Sequence, residues 1–324
     1  MNAPGIRLGP LAAADLPQLA ALWNHAPAAS GALGAAHPLG ARALEQWCGS
    51  PDADPDLAIA ARSGETLVGA VLARAPRRAW ADPSVGHVAL LVVAADARGR
   101  GIGAALWDAA LMALRARGRT LVRLGGESDV LLPGVPALAD DATWRFLRRR
   151  GVVPGGLEVD LHVDLRVPST FAPDPARPAD GVRLVDDDPA AALAFVERCF
   201  PGRWADEAAA YAAAGCHLLT LREGPRTLAF CAAFRPDDAL LGPSLTWHAA
   251  LPGPVGGLGP LGVDPDARGR GLGLRVVAEG LAWQRARGSR DVIINWTTLA
   301  GFYGRLGARV WRTYQRCELP LPPS

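Results

Sequence analysis

Lysine is absent from the 324 residues, so all 34 basic side chains are arginine. That excludes a Walker-type phosphate loop, which needs a lysine after its glycines. Cysteine is sparse: Cys48, Cys199, Cys216, Cys231 and Cys317 are odd in number and show no C-x-x-C spacing. This argues against a disulfide framework or a zinc site and for a reducing cytoplasm, so no metal is expected. Half the residues are hydrophobic, yet no run of about 18 apolar residues occurs, and no membrane span is expected. The opening Met1-Asn2-Ala3-Pro4-Gly5 lacks the basic and apolar regions of a secretory leader. Charge of one sign is lacking too. A net charge of +2, with acids and bases interleaved, gives no basic patch for nucleic acid and no face for docking a macromolecule. Abundant Ala, Gly and Pro beside arginine without lysine is the signature of a GC-rich bacterial gene.

What the chain does contain is one loop written twice. Ala94-Ala95-Asp96-Ala97-Arg98-Gly99-Arg100-Gly101-Ile102-Gly103 recurs 170 positions on as Asp264-Pro265-Asp266-Ala267-Arg268-Gly269-Arg270-Gly271-Leu272-Gly273. Each copy follows an apolar run and precedes a helical pattern, which places it at a strand-to-helix turn. Helix N-termini carry unpartnered N–H groups and partial positive charge, and glycines let the backbone approach a ligand. Each copy is therefore a candidate phosphate site held by backbone and arginine.

The repeat divides the chain. Gly5-Ile6-Arg7-Leu8 has its counterpart in Gly181-Val182-Arg183-Leu184, and the proline-rich stretch from Pro168 to Pro178 forbids helix between the two units. The expected division is 1–167, a linker over 168–180, and 181–324. In unit one the patterns predict strands over Leu57–Ala61, Thr66–Ala73 and Val85–Val93. The glycine loop follows, then a helix with Leu106, Ala110, Ala113 and Leu114 inward and Gly118 at its end. Strand Leu121–Leu124, helix Asp141–Arg150 and a strand pair through Leu157–Val167 complete it. Unit two repeats the order with strands His217–Arg222 and Thr227–Phe234 and a third ending at Val263. A helix with Leu274, Val277 and Leu281 inward, strand Val292–Trp296, helix Leu299–Leu306 and strand Val310–Leu319 follow. The class is α+β, with a mixed, mostly antiparallel sheet and flanking helices in each unit.

The two copies Arg98-Gly99-Arg100-Gly101-Ile102-Gly103 and Arg268-Gly269-Arg270-Gly271-Leu272-Gly273 match the pattern [QR]-x-x-G-x-[GA], and in this the chain resembles the GNAT N-acetyltransferases, in the tandem form found in bacteria. The resemblance implies two tandem GNAT-like domains and acetyl-CoA as donor. Loop amides would hold the CoA pyrophosphate, and the backbone at Val93 and Val263 would contact pantetheine and the thioester oxygen. Phe302-Tyr303-Gly304-Arg305-Leu306-Gly307 is similar to a second family signature, whose tyrosine protonates the leaving thiolate. Tyr303 is thus the candidate general acid, against a plain core role that its i, i+3, i+4, i+7 spacing with Leu299, Phe302 and Leu306 also fits. Aligning Gly151 with Gly307 puts Leu147 opposite Tyr303, so unit one lacks the acid. Unit one is also 14 residues longer between its glycine loop and last helix, around Glu127 to Pro136.

Acyl transfer to an amine needs a proton acceptor, an N–H for the developing oxyanion and an acid for the thiolate. No carboxylate lies in Leu258–Val263, which leaves His248, Asp237, Glu223 or a water relay as base. Asn295 is placed to bond cofactor or substrate, or to cap a turn with Thr297 and Thr298. Trp247, Trp296 and Trp311 suit either an amine pocket or packing. Gly99-x-Gly101-x-x-Ala104 also fits a dinucleotide fingerprint, but Leu274 breaks it in the second copy, and hairpin-spaced strands precede the loop. A small-molecule amine is the expected acceptor, and a monomer or homodimer the expected state. The other reading is a non-catalytic acyl-CoA sensor or scaffold.

Overall fold

The computed structural model describes residues 5–25, 33–168 and 181–322. The linker expected over 168–180 lies, from residue 169 on, outside the described residues. The chain forms two compact units: residues 1–158 with 312–324, and residues 159–311.

In the first unit the order is β1 (Ile6–Pro10), α1 (Leu16–Asn24), α2 (Leu33–Ala36), α3 (Ala41–Cys48), β2 (Ala58–Ser63), β3 (Thr66–Arg74) and β4 (Val85–Val93). Then come α4 (Ile102–Ala116), β5 (Leu121–Leu124), β6 (Val135–Pro136), α5 (Asp141–Arg149) and the start of β7 (Val153–Asp164). Strands β1 to β4 pair antiparallel in sequence order, and β5 joins β4 in parallel. The stripe expected on α4 is the buried one. Leu106, Ala110 and Leu114 are fully buried at i, i+4 and i+8, and Ala113 packs at their edge. At roughly 1.5–3 kcal/mol for each large side chain removed from water, this stripe fixes the helix on the sheet. Gly118, at φ +73°, ends α4 in the left-handed conformation that glycine adopts without strain.

The second unit runs β8 (Val182–Val185), α6 (Pro189–Cys199), α7 (Arg203–Ala213), β9 (His217–Glu223), β10 (Arg226–Phe234), β11 (Val255–Val263), α8 (Leu272–Ala286), β12 (Asp291–Thr297) and α9 (Ala300–Gly304), leading into β13 (Arg309–Pro320). Strands β8 to β11 pair antiparallel, and β12 joins β11 in parallel. Leu274, Val277 and Leu281 of α8 are buried, as their spacing predicts. Both units are therefore mixed, mostly antiparallel sheets with flanking helices.

The unit boundaries differ from the division read in the sequence. From Val159 onward β7 belongs to the second unit, where it pairs antiparallel with β12, while β13 pairs with β5 in the first unit. β7 and β13 hold equivalent places in the repeat, each after its unit's last helix, and pairing partners distant in sequence leave no local trace. Two elements also differ in extent. The strand pair expected through Leu157–Val167 is the single strand β7. The last helix is shorter than Leu299–Leu306, because glycines at 301 and 304 weaken a helix interior and the Leu306 and Gly307 amides close three-residue turns onto Tyr303 and Gly304. No helix among the described residues is long and apolar enough to cross a membrane.

Candidate active site

Both glycine loops take the same shape. Gly101 (φ +82°) and Gly271 (φ +75°) stand as left-handed N-caps of α4 and α8, a conformation costly for any residue with a Cβ. Neither helix has a side-chain cap, so first-turn N–H groups face outward with no side-chain acceptor. Beside each loop the parallel pairing then stops. β4 and β5 pair only from Val85–Leu121 to Val88–Leu124, although β4 continues to Val93. β11 and β12 pair only from Val255–Asp291 to Leu258–Ile294, although they continue to Val263 and Thr297. Each unit thus opens a cleft beside its parallel pair, between diverging β11 and β12 in unit two and beyond the end of β5 in unit one, with a helix N-terminus at its mouth.

In unit one this cleft is a cavity of about 460 Å³. Its walls include Val93, Arg98, Gly99, Gly101, Ile102 and Gly103 of the predicted set, together with Leu124, Phe146 and Leu147. Arg100 is exposed and is not among the lining residues. Arg98 donates to the Val93 carbonyl at 3.1 Å, tying the loop back to β4. Leu147 is buried where the sequence alignment sets it opposite Tyr303.

The inserted stretch lies against this cavity. Leu132, Gly134, Val135 and Pro136 line it, and β6 pairs with Tyr314 and Gln315 of β13. A buried polar cluster anchors the insertion. Glu127 Oε1 accepts from Trp47 Nε1 at 3.1 Å and from the Leu131 amide at 2.9 Å. The buried Arg74 donates to the Ser128 carbonyl at 2.7 Å and to Asp129 Oδ2 at 3.1 Å, and Ser128 Oγ donates to Asp52 at 2.7 Å. Complete burial pushes the Glu127 carboxyl above its ordinary range, more than the Leu131 amide and Arg74 lower it.

In unit two the loop is braced by Asp264, where unit one has Ala94. Its side chain is 1% exposed, accepts from the Asp266 amide at 3.0 Å, and pairs with Arg226 at 3.1 Å and Arg198 at 3.2 Å. Burial opposes its ionisation, but the Asp266 amide and the two guanidiniums outweigh that and hold the carboxyl below its ordinary value. Arg270 pairs with Glu223 at 2.7 Å, whereas Arg268 and Gly269 are exposed. Leu272 is buried in the core below the loop, and Gly273 lies beside the ring of Phe302.

That ring connects the loop to Tyr303, since Phe302 and Tyr303 meet edge to face with centroids 4.9 Å apart. Tyr303 is 6% exposed. Burial raises its hydroxyl well above the ordinary value, and the neighbouring Cys231 adds to this. Cys231 is itself fully buried, with its thiol pushed up to about 12 by desolvation, so it stays a neutral thiol rather than a nucleophilic thiolate. It lies on β10 where the pairing with β11 slips: Cys231 faces Leu261 and Ala233 faces Leu258, so Gly259 and Pro260 bulge out together.

The remaining candidates separate clearly. Glu223 is tied to Arg270 at the loop, and Asp237 is a surface carboxylate paired with Arg235 at 3.2 Å. His248 has Nδ1 2.7 Å from the Leu245 carbonyl. A carbonyl can only accept, so Nδ1 carries the proton and Nε2 is the basic nitrogen. Asn295 and Trp296 occupy a bulge in β12, between the pairs Ile294–Leu161 and Thr297–Val159. Trp296 has φ +51°, its amide donates to Asp160 at 2.9 Å, and the Arg203 guanidinium lies 4.5 Å over its ring. Trp247 is a core residue, and Trp311 stands beside His162. The sequence reading missed Cys231 and the bulge. A Gly-Pro pair inside a strand was the available signal for the bulge, since proline cannot donate to a ladder.

The Acetyltransferase (GNAT) family model matches this chain twice, over residues 20–135 and 189–308. A mycothiol acetyltransferase of Salinispora arenicola (strain CNS-205) is 32% identical over 257 residues, which cover 72% of this chain and 75% of the relative. Among solved structures, the GCN5-related glucosamine N-acetyltransferase region of a fungal multi-domain GH3 β-N-acetylglucosaminidase is 25% identical, with a TM-score of 0.81. The match covers 98% of this chain but only 38% of that protein's length. A tandem GNAT protein from the clavulanic acid biosynthesis pathway shares the fold at 20% identity and a TM-score of 0.68, over 98% of this chain and 99% of that one. With two matched domains and two glycine loops of the same shape, the chain belongs to the GNAT family as a tandem two-domain acyltransferase.

Proposed function

We propose that this protein is an N-acetyltransferase that moves the acetyl group of acetyl-CoA to a primary amine of a small molecule, with the chemistry in unit two. The observation that carries this is Tyr303: a buried tyrosine held in its protonated form, one ring away from a glycine loop, in a unit whose β11 and β12 part.

The donor supplies an activated thioester. Val263, Arg268, Gly269, Arg270, Gly271, Leu272 and Gly273 would hold it in unit two with Asn295 beside the arm. Val93, Arg98, Gly99, Arg100, Gly101, Ile102 and Gly103 would do so in unit one. The uncapped helix N-termini fit a pyrophosphate, and the parted strands fit the extended arm with backbone groups on each side. In the reaction the amine nitrogen forms a bond to the thioester carbon and the C–S bond breaks. A β11 backbone N–H takes up the charge developing on the thioester oxygen. The amine proton passes to His248 Nε2, directly or through one water, and Tyr303 gives its proton to the departing sulfur.

Unit one, with Leu147 in place of the acid, binds the donor without transferring it. Two of the three named relatives put glucosamine and a mycothiol-type amine at the head of an acceptor panel. The test incubates the full chain with acetyl-CoA and that panel, following free thiol and N-acetyl product together. Equal amounts of both with at least one amine support the reading, and binding of acetyl-CoA with no amine-dependent thiol release would leave the sensor role instead.

A further inference from the structure

The unit-one cavity has an unusual distribution of chemistry. The ionisable residues among its described lining are Arg98, whose Nε donates to the Val93 carbonyl, and Asp140, whose Oδ1 caps α5 through the Thr143 amide at 2.7 Å. Among the lining residues that come from outside β4 and the glycine loop are Trp23, Leu132, Val135, Phe146 and Leu147. Three of these are locked. Trp23 Nε1 donates to the His37 carbonyl at 2.7 Å, Phe146 packs edge to face on Trp107 at 5.8 Å, and Leu132 follows the stretch pinned by Glu127. Among the described lining residues there is no tyrosine and no histidine. Those five side chains present mostly apolar surface to a space of about 460 Å³.

We infer that the unit-one site is a retaining site for acyl-CoA whose acyl group is longer than acetyl, with a four-carbon chain as the simplest member of the class. This rests on the reading of unit one as a donor-binding domain and goes beyond it by assigning the ligand's chemistry. Two features make the distinction. Leucine where the other unit has tyrosine removes the proton source and leaves an aliphatic wall, and the insertion adds Leu132 and Val135 to that wall. A methylene moved from water to an apolar wall tightens binding about fourfold, so butyryl-CoA, with two more than acetyl-CoA, is held about 15-fold more tightly.

The test is native mass spectrometry of the full chain carrying Gly271→Val, which blocks the unit-two loop, titrated separately with CoA, acetyl-CoA and butyryl-CoA. Circular dichroism verifies the variant's fold, and if it is not retained the wild-type chain is titrated and its two occupancy steps are resolved. One butyryl-CoA per chain, bound about 15-fold more tightly than acetyl-CoA, is the expected result. Adding Leu147→Phe should remove that advantage while CoA itself still binds. Equal affinity for the two thioesters, or an advantage untouched by Leu147→Phe, overturns the proposal and leaves donor binding intact. A folded chain with no CoA bound at unit one overturns donor binding there and the proposal with it.

Discussion

Replacing Asp264 with alanine should loosen the unit-two glycine loop without touching the proposed reacting groups. The carboxylate accepts from the Asp266 amide and from two arginines while itself being almost wholly buried. A hydrogen bond to a charged group contributes about 1.5–3 kcal/mol. Arg198 and Arg226 are more than half exposed, so each pair adds at most about 1 kcal/mol and both guanidiniums regain water when the partner is removed. The loss is about 3 kcal/mol, a fall of roughly 6–12 °C in the melting transition of a unit this size. The sign with pH follows from the lowered carboxyl. Its contribution is present above the ordinary aspartate value and disappears as the folded group is protonated on acidification. Calorimetry of wild type and Asp264→Ala at pH 7 and pH 3 should show a wide gap that narrows in acid. A gap under about 1 °C at pH 7, or one that persists unchanged at pH 3, would refute the brace.

Cys231 should make stability depend on alkali. Its folded value of about 12 against 9.0 for a free thiol means the contribution is complete below pH 9 and lost as pH rises toward 12. Urea unfolding should show the advantage of wild type over Cys231→Ala shrinking by about 2 kcal/mol between pH 9 and 10.5. Gly262→Ala should destabilise by about 1–3 kcal/mol, because the new Cβ would stand 2.4 Å from Phe200 Cζ, in a ring cluster with Phe195, Trp204 and Phe230. Adding Phe200→Ala should cost less than the two single changes summed, and strict additivity in denaturant titrations would count against the contact.

Much of the framework around the candidate site was legible because its signals are local. The loop repeat, the apolar run before it and the α4 and α8 stripes are contained within short windows, and all became a strand, a left-handed glycine turn and a buried helix face. Leu147 opposite Tyr303 followed from register alone. What escaped depended on distant pairing. The exchange of β7 and β13 cannot be read locally because the two strands are equivalent in the repeat. Cys231 comes beside Tyr303 only once β10 and the last helix share one core. Glu223 and His248 looked equally plausible as bases until the fold tied one to Arg270 and fixed the protonated nitrogen of the other. The insertion was visible as extra length, but its role as a cavity wall needed β6 to find β13.

The central claim is that Tyr303 protonates the departing thiolate, and Tyr303→Phe tests it most directly, because only one buried hydroxyl changes. Steady-state rates and acetyl-CoA dissociation constants measured side by side at pH 7 should show kcat falling about 100-fold or more with affinity within about twofold. In wild type, the raised hydroxyl should leave kcat without a Tyr303-dependent alkaline limb below about pH 10. A variant that keeps kcat within about threefold of wild type would reduce Tyr303 to a packing residue and contradict the assignment.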